Sequence, residues 1–323
     1  MKFFTDRIGG EIDTKVLAQF VGNEYNIGKV KSAELVEIGY EDFNAVLATD
    51  KGKYFLKVFN ALRTDQQCSE CIERAHIADK NGVPTPKVFL NKNNEILTKL
   101  NLGFPVRASL LEYINGKDFF SMSRKPTQKE LEQIVEIASA LNKIDYKPKF
   151  IYDSWAISSF DKEFEKKRPG LNKTDLGIIE PIYKKFKKFN HDELPKGFVH
   201  GDMLTTNLML DDKNKIKVID FSVSNWTARL NEIAVIASDV CITDSIDESK
   251  ERIIKSFKQW CRNVGATEIE KASFSLLFSV ASAIEIMNGA YEMSKGNITD
   301  ETQTHYKRGK FNLGLVKELE NEL

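Results

Sequence analysis

The chain has 323 residues, enough for one large or two medium domains with an ample core. It is 41% hydrophobic and 29% charged, an ordinary globular composition. Its 47 basic and 47 acidic residues cancel, so charge gives no argument for a nucleic acid or a membrane surface as partner. No apolar run in the sequence approaches the roughly 18 residues that a membrane helix needs. Met1 to Arg7 is too charged for a secretory signal, and four cysteines suit a reducing compartment. The expected location is cytoplasmic.

In chain order, residues 34–59 read as a β-meander. Its strands are Glu34 to Ile38, Ala45 to Thr49 and Tyr54 to Phe59, with a turn at Asp50-Lys51-Gly52-Lys53. Lys57 lies in the apolar run Phe55-Leu56-Lys57-Val58-Phe59, where an ammonium is costly unless it meets anions. A helix is predicted from Asp65 to Lys80, ended by Asn81-Gly82-Val83-Pro84. Glu70 and Glu73 share one of its faces, and Cys68 and Cys71 read as buried thiols of that helix. Val106 to Ile114 is a strand closed by Asn115-Gly116.

Thr127 and Glu130 then form a capping box ahead of the apolar stripe Leu131, Ile134, Val135, Ala138, Leu141 and Ile144. Residues 160–173 are polar and lysine-rich, and are expected to be mobile. A helix from Thr174 to Phe189 should place Pro181 near a break or an end. Lys184, Lys185, Lys187 and Lys188 form its wet face. Three short strands follow, Gly197 to His200, Asn207 to Leu210 and Lys215 to Asp220, the last two joined by the turn Asp211 to Asn214. Helices are predicted at residues 230–242, 247–263, 267–293 and 300–319, with no internal repeat.

The chemistry concentrates in Phe198-Val199-His200-Gly201-Asp202-Met203-Leu204-Thr205-Thr206-Asn207 and in Ile219-Asp220-Phe221. Asp202 and Asn207 fall on a loop between strands, and Asp220 at the end of a strand that the hairpin is expected to bring back beside Asn207. The catalytic loop of kinases, H-R-D-x-x-x-x-N, has the same Asp-to-Asn spacing and is followed by a D-F-G aspartate. Phosphoryl transfer needs one carboxylate to orient a hydroxyl and hard oxygens to hold Mg²⁺ against phosphates.

With His-Gly-Asp in place of His-Arg-Asp, the chain resembles the aminoglycoside phosphotransferase and choline kinase superfamily, and within it the homoserine kinase-like small-molecule kinases. The resemblance implies an α+β, two-lobed protein-kinase-like fold. It has a small antiparallel N-terminal sheet with one helix and a larger, mainly helical C-terminal lobe. Val106 to Ile114 becomes the connection between lobes, so the domains are 1–113 for nucleotide binding and 114–323 for catalysis and substrate.

The same resemblance implies ATP and Mg²⁺ as cofactors and a small hydroxyl-bearing substrate as partner. Asp202 would be the catalytic base, and Asn207 and Asp220 the metal ligands. Lys57 would grip the non-transferred phosphates, paired with Glu73 in preference to Glu70. The glycine loop is reduced to Gly39, with Asn44 near the phosphates. The backbone at Glu112 and Ile114 would read adenine. His200 would brace the loop. Glu232, where kin more often have Asp, would hold the catalytic loop or touch substrate, and Trp226 and Glu285 are candidate substrate walls.

No A-P-E follows Asp220, and a helix begins within about ten residues, which leaves no peptide platform of the protein-kinase kind. An amino alcohol, homoserine-like, is the leading acceptor, with an aminoglycoside or choline and ethanolamine next. A non-catalytic nucleotide-binding protein on the same fold is the alternative of another class. The oligomeric state stays open, a homodimer included.

Overall fold

The computed structural model describes residues 7–36 and 42–322, the side chain at 321 excepted. The chain forms two compact units. The first runs to Gly116 and also takes in Asp211–Ser222, whereas the sequence boundary lay at 113/114 and put the second segment in the other lobe.

The first unit opens with α1 (Thr14–Glu24), a second helix beyond the one expected, capped by the Asp13 carboxylate, which accepts from the N–H groups of Lys15 and Val16. Its strands are β1 (Val30–Val36), β2 (Phe43–Thr49), β3 (Lys53–Val58), β4 (Val88–Phe89), β5 (Thr98–Asn101) and β6 (Pro105–Glu112). They form one sheet in the order β1-β2-β3-β6-β4, with β5 on β6, and every described pairing is antiparallel. Strict alternation buries Phe43, Ala45 and Leu47 of β2 with Leu56 and Val58 of β3 against Leu17, Ala18 and Val21 of α1. Lys57 therefore points to the other face. Asn44 and Ser109 lie directly across from it on β2 and β6. Helix α2 (Asp65–Lys80) begins with a Thr64–Gln67 capping box and buries Ile72, Ala75 and Ala78 together with Cys68 and Cys71, the two thiols expected to be buried.

In the second unit, β7 (Gly116–Asp118) leads to a turn whose Phe119 N–H donates to Leu208 C=O at 3.2 Å. Helix α3 (Gln128–Asn142) carries the predicted capping box and buries the predicted stripe. The stretch expected to be mobile instead holds α4 (Phe160–Lys167), because Phe160 and Phe164, one turn apart, are both fully buried. Helix α5 (Lys173–Lys188) runs through Pro181 without ending there. Burial of Ile179, Tyr183 and Phe186 on one face outweighs the backbone bond that proline cannot make.

The strands β8 (Lys196–Val199), β9 (Leu208–Asp211), β10 (Ile216–Val218) and β11 (Asn225–Ala228) follow, with β8 and β11 antiparallel. The last four helices are α6 (Leu230–Asp239), α7 (Ile246–Val264), α8 (Glu268–Ser294) and α9 (Asp300–Glu322). Helix α8 is long and apolar enough by composition to cross a membrane, contrary to the sequence reading, but 83% of its most apolar window is buried within the protein. It is the hub of its unit, contacted by α4, α5, α6 and α9. Gly309 lets α9 approach it closely; a Cβ there would stand 2.5 Å from Ser282 C=O.

Candidate active site

In the second unit, β8 delivers His200, fully buried, to the start of a loop. Gly201 takes φ +82°, a conformation that a side chain would strain, and so turns the chain toward Asp202. Two neighbours hold this turn. The Glu232 carboxylate, wholly buried on α6, accepts the N–H of His200 at 2.5 Å and of Gly201 at 3.4 Å. His200 Nδ1 accepts the Asp202 N–H at 3.2 Å, which is the bracing role expected of this histidine. Burial pushes the Glu232 carboxyl up to about 7 against the pull of these two backbone donors.

Asn207 donates its Nδ2 to the Asp202 carboxylate at 2.7 Å and to the Asp202 C=O at 2.9 Å. The side chain thereby fixes Asp202 and leaves its own Oδ1 without a hydrogen bond among the described residues. Farther along, Thr205 donates its N–H at 2.7 Å and its hydroxyl at 2.9 Å to the Asp239 carboxylate. Asp239 pairs with Arg308 of α9, and Arg308 grips Glu285 at 2.7 Å. Burial would raise Asp239, but Arg308 and Lys125 hold it below its ordinary value. Glu285, buried beside Asp239, is pushed up to about 7 in spite of Arg308.

The first unit carries a second cluster. Lys57 Nζ lies 3.3 Å from Asp42 Oδ2 and 3.8 Å from Asp220 Oδ1. Burial works against its charge, but Asp220 and Asp42 outweigh that and hold the ammonium above its ordinary range. Asp220 sits at φ +61°, a strained conformation for a non-glycine residue, of the kind that concentrates at functional sites. Its side chain is 46% exposed. Asn44, across the strand from Lys57, keeps a buried Oδ1 without a hydrogen-bond partner among the described residues.

Some sequence assignments change. Glu73 is exposed on α2 and makes no ion pair among the described residues; Asp42 stands beside Lys57 instead. Glu232 is sealed under the catalytic loop, so it holds that loop and does not line a substrate wall. Glu285 is engaged by Arg308. Trp226, on β11, is half-buried and has Lys147 Nζ over its ring at 5.1 Å. The Glu112 carboxylate is paired with Lys217 at 2.7 Å and its N–H donates to Lys87 C=O; Ile114 is buried. Gly39 lies outside the described residues.

Asp42 and Asp239 were missed as anchors. The only signals were an acid just ahead of a buried strand and an acid at the end of an apolar helix. Among the described residues no three His, Cys, Asp or Glu side chains cluster as a self-sufficient metal site. Asn207 Oδ1 in the second unit and the Asp220 carboxylate in the first are each hard oxygens of the type that Mg²⁺ takes.

Residues 32–259, well over half of the chain, match the model of the phosphotransferase enzyme family. The chain belongs to that family. Within the phosphotransferase enzyme family it is 22% identical to a homoserine kinase of Zymomonas mobilis, over 82% of each chain. It is also 23% identical to a homoserine kinase of Methylobacillus flagellatus, across 68% of this chain and 66% of that one. A microcompartment-associated aminopropanol kinase shares the fold with a TM-score of 0.66 at 13% identity, over 95% of this chain and 98% of the other. An amicoumacin kinase in complex with AMP-PNP and Ca²⁺ does so at 0.65 and 12% identity, over 95% and 94%. The chain is a small-molecule phosphotransferase of protein-kinase-like, α+β fold.

Proposed function

We propose that the chain moves the γ-phosphoryl group of ATP to the hydroxyl of a small amino alcohol, homoserine-like. The bond from Asn207 Nδ2 to the Asp202 carboxylate carries the reading, because it fixes a carboxylate on a loop that Glu232 clamps from below. Asp202 orients the acceptor hydroxyl and takes its proton as that oxygen bonds to the γ-phosphorus. The bond to the β–γ bridging oxygen breaks, and ADP leaves. Lys57 holds the non-transferred phosphates, with Asn44 beside it. Asn207 Oδ1 and Asp220 would hold Mg²⁺, which when bound offsets phosphate charge. The backbone at Glu112 and Ile114 reads adenine. The four cysteines are free thiols, in keeping with a cytosolic setting.

Relatives that are homoserine kinases support the acceptor class. A choline-type or aminoglycoside acceptor is less favoured, because Lys147 covers Trp226 and Arg308 neutralises Glu285. A non-catalytic role is disfavoured because Lys57, Asp202, Asn207 and Asp220 are all present.

The test is ATP consumption by the purified chain with Mg²⁺ and homoserine, aminopropanol, ethanolamine, choline or aminoglycosides, with products identified by ³¹P NMR. Turnover with homoserine is expected. Turnover confined to choline or aminoglycosides would replace the acceptor, and ATP binding with no turnover on any member of the panel would favour the non-catalytic reading.

A further inference from the structure

Lys57 sits in a sheet, and the carboxylate nearest to it among the described residues directly precedes the neighbouring strand of that sheet. We propose that Asp42, rather than Glu73 of α2, is the positioning residue that sets the Lys57 ammonium for the nucleotide phosphates. The proposal rests on the nucleotide-binding reading above.

Asp42 directly precedes β2 and is 6% exposed. Its two oxygens have different tasks. Oδ1 accepts the Asn60 N–H at 3.0 Å and lies 3.4 Å from Arg63 Nε. That pins the carboxylate to the segment that leaves β3. Oδ2 is turned to Lys57 Nζ at 3.3 Å. A backbone amide and a guanidinium therefore hold the acceptor before the lysine arrives, which lowers the entropy lost when a long, flexible side chain is ordered. The register adds rigidity, since Phe43, next to Asp42, pairs with Val58, next to Lys57.

A helix glutamate would couple the lysine to any shift of its helix. An anchor at the start of the neighbouring strand frees the lysine from that dependence, and Glu73 is exposed with no ion pair among the described residues. Asp220, 3.8 Å away, is the second carboxylate at the ammonium, so removing Asp42 leaves Lys57 charged but drawn to one side.

The experiment measures affinity for a fluorescent ATP analogue with Mg²⁺, which requires no acceptor. The variants are Asp42→Asn, Asp42→Ser, Glu73→Gln, Lys57→Ala and Asp42→Asn combined with Lys57→Ala, each checked by its melting temperature. Asp42→Asn should weaken affinity about tenfold, as Lys57→Ala does, with the double variant no weaker than Lys57→Ala alone. Glu73→Gln should stay within about twofold of wild type.

Unchanged or tighter affinity in Asp42→Asn, a loss in the double variant that equals the sum of the two singles, or a larger loss in Glu73→Gln would each overturn the proposal. If Asp42→Asn does not fold, Asp42→Ser, which keeps an acceptor for the Asn60 N–H, supplies the same comparison. A wild-type chain that binds no nucleotide would sink the phosphotransfer reading itself; one that binds it alike with and without Asp42 would sink the positioning role alone.

Discussion

Asn207 Nδ2 restrains Asp202, and in the proposed reaction its Oδ1 is left for a cation. That reaction implies that Asp202→Asn, which swaps the proton acceptor for an amide of the same shape, lowers kcat about a thousandfold. Nucleotide affinity should hold, and parallel kinetics and nucleotide titration check both. Glu232 makes a different prediction. Its carboxyl rises from 4.5 to about 7 in the fold, so the folded chain holds that proton more tightly than the unfolded one. The associated stability is full below pH 4.5 and is lost as pH rises through about 7. Thermal melts from pH 5 to 8 should fall less steeply in Glu232→Gln than in wild type, by about 2 °C or more over the range. The contact between Asp202 and Asn207 was legible because motif spacing survives in sequence. Asp42 and Asp239 were not, because a lone acid acquires its meaning from partners distant along the chain, such as Arg63 and Arg308.

Among the elements, a capping box and an apolar stripe foretold α3, and the Asn81-Gly82-Val83-Pro84 stop foretold the end of α2, since these signals are local. Helix α4 was hidden by its lysines, although Phe160 and Phe164 one turn apart were the clue. Helix α1 was hidden by a sparse stripe of Leu17, Ala18 and Val21 that needs the sheet to make sense of it. Pro181 was read by a local rule that tertiary packing overrode. Two substitutions of opposite sign test this. Pro181→Ala restores a backbone donor toward Gly177 and should raise stability by about 1 kcal/mol or more. Gly309→Ala forces a methyl to 2.5 Å from Ser282 C=O and should lower it by about 1–3 kcal/mol. Urea midpoints of the two variants against wild type read both effects.

For the molecule as a whole, the proposed ligands should stabilise the fold they bind. ATP with Mg²⁺ at about 100 times its Kd should raise the melting temperature by about 5 °C, with much of the rise lost in EDTA or in Asp220→Ala. An EDTA-insensitive rise would count against the metal role. The assignment of residues 211–222 to the first unit escaped the sequence reading, because nearness along the chain to Asp202 suggested a common lobe. Order along the chain matters in another way for the tie between Thr205, Asp239, Arg308 and Glu285. Arg308 follows Asp239 by 69 residues and Glu285 by 23, so both carboxylates enter the chain ahead of the guanidinium they share. Without α9, Asp239 would keep Lys125 at 3.6 Å but lose its guanidinium, and the anchor for Thr205 would be weakened. The loop that bears Asp202 is thus secured, through Thr205 and Asp239, by a side chain of the last described helix.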